Sequence, residues 1–499
     1  MSSPIPLYDT AAARDLDQRA TEALGGDAYV LMSRAGQAAW RHLLQHWPQS
    51  QRLLVLCGPG NNGGDGYVLA RLAQEHGRQV QVLHAASQPP RSALCERAAD
   101  GYRAAGGAIE VFDGALPPAD LLVDAIFGIG LRRAPEGDAA ALIEAANAHP
   151  ADVFALDVPS GLDSDRGSAP GVVIRARRTL QFIAPHQGLS TGDGLLASGE
   201  RATAALAVAG ALLEAAPSAA ELLLADALPR WFAPRGINSH KGSSGRVLCV
   251  GGNHGSGGAL LVTAQAALRA GAGLVWAATR VEHVPAFLAR QPEIMVHGVE
   301  SNDGLEALLA RCDVVALGPG LGLDDWSRAM WSLVLRSGKP CVVDADALNL
   351  LAERGERFED AILTPHPGEA ARLLGISTGE VQADRFGTAQ ALAARYSSVV
   401  VLKGAGTLVA AGGQRTQVIG AGNPGMAVGG MGDLLTGVIA AARAGGLGSF
   451  DAARAGALLH SVAGDHAADD GGQRGLLPSD LLPWLRRCAN PAQSPGLAP

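Results

Sequence analysis

Short apolar runs alternate with helix-length amphipathic stretches along most of this chain. Residues 52–57 form an apolar run, a glycine tract follows, and residues 67–76 carry a helical period. The strand signal returns at 80–84, 121–125 and 153–158, with helical patterns between them. Strands separated by helices of roughly 10 to 15 residues predict βαβ units and a parallel, doubly wound α/β sheet. Ahead of them, 11–24 and 29–47 read as amphipathic helices.

The pattern then breaks. Residues 206–225 are alanine-rich and read as a helix interrupted by Pro217, while 229–244, rich in Pro, Gly, Ser and Arg, read as a linker and leading loop. From Arg246 the alternation restarts, with strands expected at 247–250, 314–317, 341–343, 361–363 and 399–402. A length of 499 residues exceeds one ordinary core. The expected layout is therefore two α/β domains, 1–215 and 245–490, with 216–244 between them and 491–499 as a tail. Several of the second set of strands end at Gly, Pro or Asp. Open α/β sheets bind ligands beyond the carboxyl ends of their strands, so the chemistry is to be sought there.

Composition narrows the class. Hydrophobic content of 47% against 18% charged residues excludes a largely disordered chain. A net charge of −8 lacks the basic excess by which nucleic-acid binders hold phosphates, so no nucleic-acid partner is expected. The six cysteines form no CxxC pair, which argues against a zinc site or a disulfide framework and predicts a reducing cytoplasm. No basic-then-apolar leader opens the chain, and no uncharged apolar run approaches the ~20 residues that span a membrane, so no membrane partner is expected. The 65 glycines fall in dense short clusters, as tight turns and ligand-approaching loops require. Arginine is preferred so strongly that Lys241, Lys339 and Lys403 are the only lysines.

The densest cluster spans 422–437, GNPGMAVGGMGDLLTG. Its glycines precede a helical pattern in which Leu434, Leu435, Val438, Ile439 and Ala442 form an apolar face. Such a loop delivers backbone N–H groups to a helix N-terminus, where the helix dipole also favours an anion. Asp433 lies in the first turn, where an aspartate alone is ordinarily a cap. Other strand ends carry chemistry too: GPGLG at 318–322, DADALN at 344–349, TPHPGE at 364–369 and KGAGT at 403–407. The last is suited to wrapping backbone donors and one cation around phosphates. Each alone reads as a turn or a cap, but five together after five expected strands describe a nucleotide-phosphate site.

This ensemble resembles the ribokinase-like superfamily, in which a GxGD aspartate acts as base on a substrate hydroxyl. The fuller strings, with Gly251, Gly252 and the segment 255–259, are similar to the ADP- or ATP-dependent NAD(P)H-hydrate dehydratases over about 224–487. The resemblance implies that Lys403, Gly404, Ala405, Gly406, Thr407 and Gly432 contact the adenine nucleotide. It implies that Ala259, Gly322, His366 and Asp433 contact the hydrated cofactor, with Asp433 catalytic. ADP would be the phosphoryl donor, with Mg²⁺, because the fused layout favours ADP over ATP by analogy.

The first half has its own tract, CGPGNNGGDG at 57–66, after the first strand. It is neither the dinucleotide GxGxxG fingerprint nor a P-loop, since no GK[ST] follows. Its amides suit a phosphate, and Asn62 and Asp65 offer oxygens to a cation. With DAIFGIG at 124–130, DVPSGLD at 157–163 and LMSRAG at 31–36, it resembles the NAD(P)H-hydrate epimerases over roughly 7–215, as a Rossmann-like domain. That resemblance implies a K⁺ site at Asn62, Asp124 and Ser160. It places the hydrate against Asn61, Asn62, Gly63, Gly64 and Asp65, against Gly128, Ile129, Gly130, Leu131, Arg132, Arg133 and Ala134, and against Asp157, which would also be catalytic. Where that family carries a lysine in Leu-Lys-x-Gly-Leu, this chain reads APHQGL at 184–189. His186 there is a weaker base or a bystander.

The expectation is a metabolite-repair enzyme that interconverts the R and S hydrates NADHX and NADPHX and dehydrates the S form. The resemblance also implies a homo-oligomer, with a tetramer the state expected. A small-alcohol kinase carrying an N-terminal ligand-binding or scaffold domain remains the alternative, though it leaves NNGGDG without a task.

Overall fold

The computed structural model of the chain describes residues 4–131 and 133–490. Arg132 and the expected tail at 491–499 lie outside the described residues. The chain forms two compact units, Pro6–Ala220 and, together with the first residues up to Ile5, the segment from Glu221 onward.

The first unit opens with helices Thr10–Ala23 and Ala28–His46, each started by an aspartate whose side chain accepts a backbone N–H: Asp9 from Ala12 and Asp27 from Tyr29. Its sheet has seven strands, all paired in parallel, in the order Ile109–Val111, Gln79–His84, Arg52–Cys57, Leu121–Ala125, Asp152–Leu156, Arg178–Phe182, Glu200–Ala204. The winding direction reverses between Arg52–Cys57 and Leu121–Ala125, which run side by side with Cys57 opposite Ala125. Both strands are apolar almost throughout because the sheet is covered on both faces.

The helix after Cys57 starts earlier than its periodicity suggested. It spans Asn61–Glu75, so the NNGGDG tract is the helix's first turns and not a loop before it. The glycines permit this. A Cβ on Gly63 would lie 2.0 Å from the Gly58 carbonyl oxygen, and one on Gly66 would lie 2.6 Å from Ala125 Cβ.

The second unit carries an eleven-stranded sheet. From one edge its order is Ile5–Leu7, Ala220–Leu223, Thr416–Ile419, Leu408–Ala410, Val399–Leu402, Ala361–Leu363, Cys341–Val343, Val314–Leu317, Arg246–Val250, Leu274–Thr279, Met295–Gly298. The pairs from Val399–Leu402 to Met295–Gly298 are parallel, and the two next to Leu408–Ala410 are antiparallel. The switch point lies between Arg246–Val250 and Val314–Leu317. Helices Gly257–Arg269 and Met431–Ala444 pack in close contact, since a Cβ on Gly437 would stand 2.0 Å from the Thr263 carbonyl oxygen.

Two expectations about the break need correction. Residues 206–225 form helix only over Gly210–Ala215, because Pro217 denies the next turn its N–H. The stretch 216–244 expected between the two domains contains the strand Ala220–Leu223 and a 3-10 turn at Ala225–Arg230. Gly420 N–H donates to the Leu223 carbonyl, and Arg415 and Gln417 bind Glu221, so sheet pairing overrides the alanine-rich helical bias. Among the described residues no helix is long and apolar enough to cross a membrane, and all six cysteines are free thiols.

Candidate active sites

In the first unit a cavity of about 730 Å³ opens beyond the carboxyl ends of the strands at the switch point. Pro59, Gly60, Asn61, Asn62 and Asp65 enter it from the start of helix Asn61–Glu75. Ile126 to Leu131 and Arg133 follow Leu121–Ala125 into it, and Asp157 and His186 complete its polar wall. Of the expected contacts, Gly63, Gly64 and Ala134 are not in the wall. Gly63 lies against the Gly58 backbone and Gly64 against the Met32 side chain, where a Cβ would clash, and Ala134 packs against Gly171.

The three residues expected to hold a cation do converge. Asp124 is fully buried, and its carboxylate accepts from Ser160 Oγ at 2.5 Å, Ser160 N at 2.8 Å and Ile126 N at 3.2 Å. Asn62 Nδ2 donates to the Phe127 carbonyl at 3.0 Å, beside Ser160 Oγ at 3.2 Å. Asn62 Oδ1 is buried without a hydrogen-bond partner. An orphaned amide oxygen in a cluster with a buried carboxylate, a hydroxyl and a carbonyl is a set of oxygen donors suited to a cation. Burial pushes the Asp124 carboxyl up to about 6, although the Ser160 and Ile126 donors pull the other way.

Asp157 follows its strand with φ +63°, an uncommon conformation for a non-glycine residue that turns the carboxylate toward the cavity wall. Its Oδ1 lies 2.9 Å from His186 Nε2. His186 is 2% exposed, its backbone N–H is taken by Gln181 and its Nδ1 has no partner. Asp157 and His186 are thus a hydrogen-bonded acid–imidazole pair, a connection that their 29-residue separation hides in the sequence. Two further acids face them. Burial first, then Asp157, raises Asp65 well above the carboxylate range, while burial and Asp157 raise Asp17 to about 6, His186 opposing.

In the second unit, Asp433 occupies the third position of helix Met431–Ala444, whose N-cap Gly430 is left-handed at φ +91°. The first amides of any helix lack partners inside it, so this turn is an anion hole. Thr263 Oγ1 donates to the carbonyls of both Ala259 and Asp433, which ties the two helices beside the site. Lys403 Nζ lies 2.7 Å from Asp344 Oδ1 and 3.7 Å from Glu369 Oε2. A Cβ on Gly432 would fall 3.1 Å from that same Nζ, so only glycine fits there easily. Thr436 Oγ1 donates to the other oxygen of Asp344 at 2.8 Å.

The electrostatics follow from crowding. Burial raises Asp433 to about 6, Asp344 adds to the rise, and Lys403 opposes it. Burial works against the Lys403 charge, but Asp344 and Glu369 outweigh it and hold the ammonium above its ordinary pKa. His460 packs behind the loop, where burial lowers it to about 4 and keeps it neutral.

Residues Lys403 to Thr407 form the hairpin between Val399–Leu402 and Leu408–Ala410, with Gly404 at φ +132° and Gly406 at φ +62°. Thr407 Oγ1 donates to the Gly404 carbonyl. Buried Arg385 braces this hairpin by donating to the carbonyls of Leu402 and Lys403. Gly322 N–H donates to Asp346 at 2.8 Å. His366 caps helix Pro367–Leu374, its Nδ1 accepting from Gly368 and Glu369. With Nδ1 taken as acceptor, Nε2 is the ring nitrogen left to donate. Ala259 lies in the first turn of Gly257–Arg269.

Asp17, Glu369, Arg385 and His460 were not legible as site residues. Asp17 reads as the polar side of an amphipathic helix, and the other three lie outside the glycine-rich motifs or look like caps.

Two α/β sites beyond strand ends, one with an acid–imidazole pair and one with a GxGD anion hole, define a two-headed enzyme acting on phosphate-bearing small molecules. Comparison with known proteins makes this specific. The family model for NAD(P)H-hydrate dehydratase matches 247–487, and the YjeF-related protein N-terminus matches 28–188. The chain is 45% identical over 486 residues to the bifunctional NAD(P)H-hydrate repair enzyme of Coxiella burnetii, covering 97% of this chain and 99% of that one. It is 44% identical to the Escherichia coli enzyme of the same description, covering 98% and 95%. A solved ribokinase-like superfamily protein of Enterococcus faecalis aligns with TM-score 0.51 at 30% identity, covering 54% of this chain and 96% of that one. The chain belongs to the bifunctional NAD(P)H-hydrate repair enzymes, with an epimerase unit followed by a ribokinase-like dehydratase unit.

Proposed function

We propose that the cavity of the first unit interconverts R- and S-NAD(P)HX at C6, and that the Asp433 site dehydrates the S form with ADP. The observation that carries the second assignment is Asp433 in the first turn of Met431–Ala444 beside the Lys403 ammonium, with Gly432 leaving room for that Nζ. Asp433 accepts the proton of the C6 hydroxyl as its oxygen attacks the terminal phosphoryl group of ADP and AMP leaves, and Lys403 with the first amides of Met431–Ala444 neutralises charge on the phosphoryl oxygens. The ring nitrogen's lone pair then expels phosphate from C6 and a proton leaves C5, restoring the dihydropyridine. Ala259, Gly322 and the Nε2 donor of His366 orient the hydrate, and the 403–407 hairpin with Gly432 holds the nucleotide.

Mg²⁺ would supply further charge neutralisation on the phosphates. Mg²⁺ commonly binds through substrate phosphates and one or two carboxylates, so the nucleotide would carry it into this site. K⁺ would be held by Asn62, Asp124, Ser160 and the Phe127 carbonyl, the orphaned Asn62 oxygen being the observation that supports it. There it would rigidify the cavity wall at Phe127–Gly128. Asp157, paired with His186, handles protons at C6. Asn61, Asp65, Gly128 to Leu131 and Arg133 surround the hydrate; the resemblance also places Arg132 there.

The epimerase and dehydratase halves are assigned to about 1–215 and 245–490. Free thiols throughout support a cytoplasmic enzyme, and a homo-oligomer, tetrameric by resemblance, is the expected state. The test is dehydration of a mixed R and S hydrate with ADP or ATP, with spontaneous epimerisation subtracted. Complete conversion with ADP is expected. Conversion that stalls at the S fraction would remove the epimerase assignment, and none at all would remove the dehydratase assignment.

A further inference from the structure

Epimerising a hemiaminal carbon needs proton handling twice, once when the hydroxyl leaves and once when water returns. The Asp157–His186 pair supplies one such station. The cavity holds a second candidate on a different element. Helix Thr10–Ala23 sends Ala13, Arg14, Leu16, Asp17 and Thr21 to the cavity wall, well away in sequence from every motif. Of these, Asp17 is the only carboxylic acid, and among the described residues no hydrogen bond or ion pair engages it. Its acidic neighbour Asp65 is 9% exposed, whereas Asp17 keeps more of its surface open in the cavity wall while surrounding protein desolvates its carboxyl.

We propose that Asp17 is the second proton-handling catalytic residue of the epimerase site, working against the Asp157–His186 pair. The inference rests on the reading of this cavity as the epimerase site. In one direction Asp17 protonates the C6 hydroxyl. The C6–O bond breaks with its electron pair on oxygen, water departs, and the ring nitrogen's lone pair forms a C6=N1 double bond. Solvent water then adds to the other face of C6, the C=N pair returns to nitrogen, and the water's surplus proton passes to the Asp157–His186 pair. Asp17 ends ionised and the pair ends protonated, which readies the site for the reverse conversion; exchange with solvent resets it. No redox partner is required, and the hydroxyl oxygen of every epimerised molecule comes from solvent.

The surroundings suit an acid that is protonated in part of the working range. Burial by protein and the Asp157 charge hold the Asp17 proton up to about 6, and His186 pulls the other way. The remaining charged groups in the wall are Asp65, itself raised above the carboxylate range, and the arginines Arg14 and Arg133.

The experiment compares the full-length chain with Asp17→Asn and Asp17→Glu. Enzymic R-to-S interconversion, solvent ¹⁸O uptake at C6 and KM for the R epimer are followed from pH 5 to 9. Asp17→Asn is expected to lose about 100-fold or more in epimerisation kcat, as removal of a general acid does, with KM changed less than about threefold. It should also lose the fall in wild-type rate as pH rises through the Asp17 titration. Asp17→Glu should recover at least about a tenth of the rate and keep that limb. Dehydration of pure S epimer should stay within about twofold in both variants. An Asn variant within about threefold of wild type overturns the proposal. So does an equal loss in Asn and Glu variants accompanied by loss of R-epimer binding, because that outcome makes Asp17 structural. A wild-type chain that does not interconvert the epimers overturns the cavity assignment itself.

Discussion

The two sites solve the problem of buried acid in opposite ways. In the second unit the crowd of Asp344, Glu369 and Asp433 is organised around one cation, Lys403, and an anion hole. In the first, Asp17, Asp65 and Asp157 share a cavity with no lysine, and the basic partner in direct contact is the buried imidazole of His186. The difference matches the chemistry. Phosphoryl transfer demands permanent positive charge on developing oxyanions, whereas epimerisation demands groups that exchange protons near neutrality. The Asp157–His186 hydrogen bond places one such exchanging pair in the cavity wall.

The contrast is broken most severely at Asp433. Asp433→Asn should lower dehydration of S-hydrate on the order of 10³-fold, as loss of a general base does, while nucleotide binding and epimerisation persist. Near-normal turnover would leave the acidic crowd without a catalytic member. Next in size is Lys403→Met, which strands Asp344 in the interior. Breaking such a buried pair costs about 3–5 kcal/mol, so chemical denaturation of the second unit should shift accordingly and the first unit should not.

That substitution also tests the sign of the coupling. Asp433 must be ionised to act, so dehydratase kcat should fall about tenfold per pH unit below about 6. Lys403 lowers that pKa, hence its removal should move the limb to higher pH; a limb that stays or moves down would contradict the arrangement. Asp157→Asn should cost roughly 100-fold in epimerisation, and His186→Ala less, because the imidazole acts beside the carboxylate. An unchanged rate in His186→Ala would make it a bystander. The smallest effect is expected from the cation. K⁺ should raise the melting temperature of the first unit by the equivalent of about 1–2 kcal/mol through linkage, and Asn62→Ala should abolish the increment. Equal responses to K⁺ and Li⁺ would argue against a specific site.

Both α/β units, nearly every strand bounding a site, and the glycine-rich motifs were readable from local pattern. Apolar runs such as 399–402 have one stable destination, the interior of a covered sheet. The failures are local as well. The strand Ala220–Leu223 was hidden in an alanine-rich stretch because its partner, Thr416–Ile419, lies almost two hundred residues on. The helical start at Asn61 was hidden because glycines that look like a loop are there to let the helix approach Gly58 and Ala125.

What the sequence determined by itself is the chemistry on offer: Asp433 after its glycines, Lys403 as one of three lysines, Asn62 and Asp65 in a glycine tract after a strand, and a histidine at 186. The spacing of those residues relative to a strand end is a local property, and local properties survive in one dimension. The tertiary structure decided which groups meet. It paired Asp157 with His186, Lys403 with Asp344 and Glu369, and Asp124 with Ser160, and it carried Asp17 from an unremarked helix into the cavity. Proton affinities belong to those meetings, because burial and neighbouring charge act through space, and neither exists until the chain has closed.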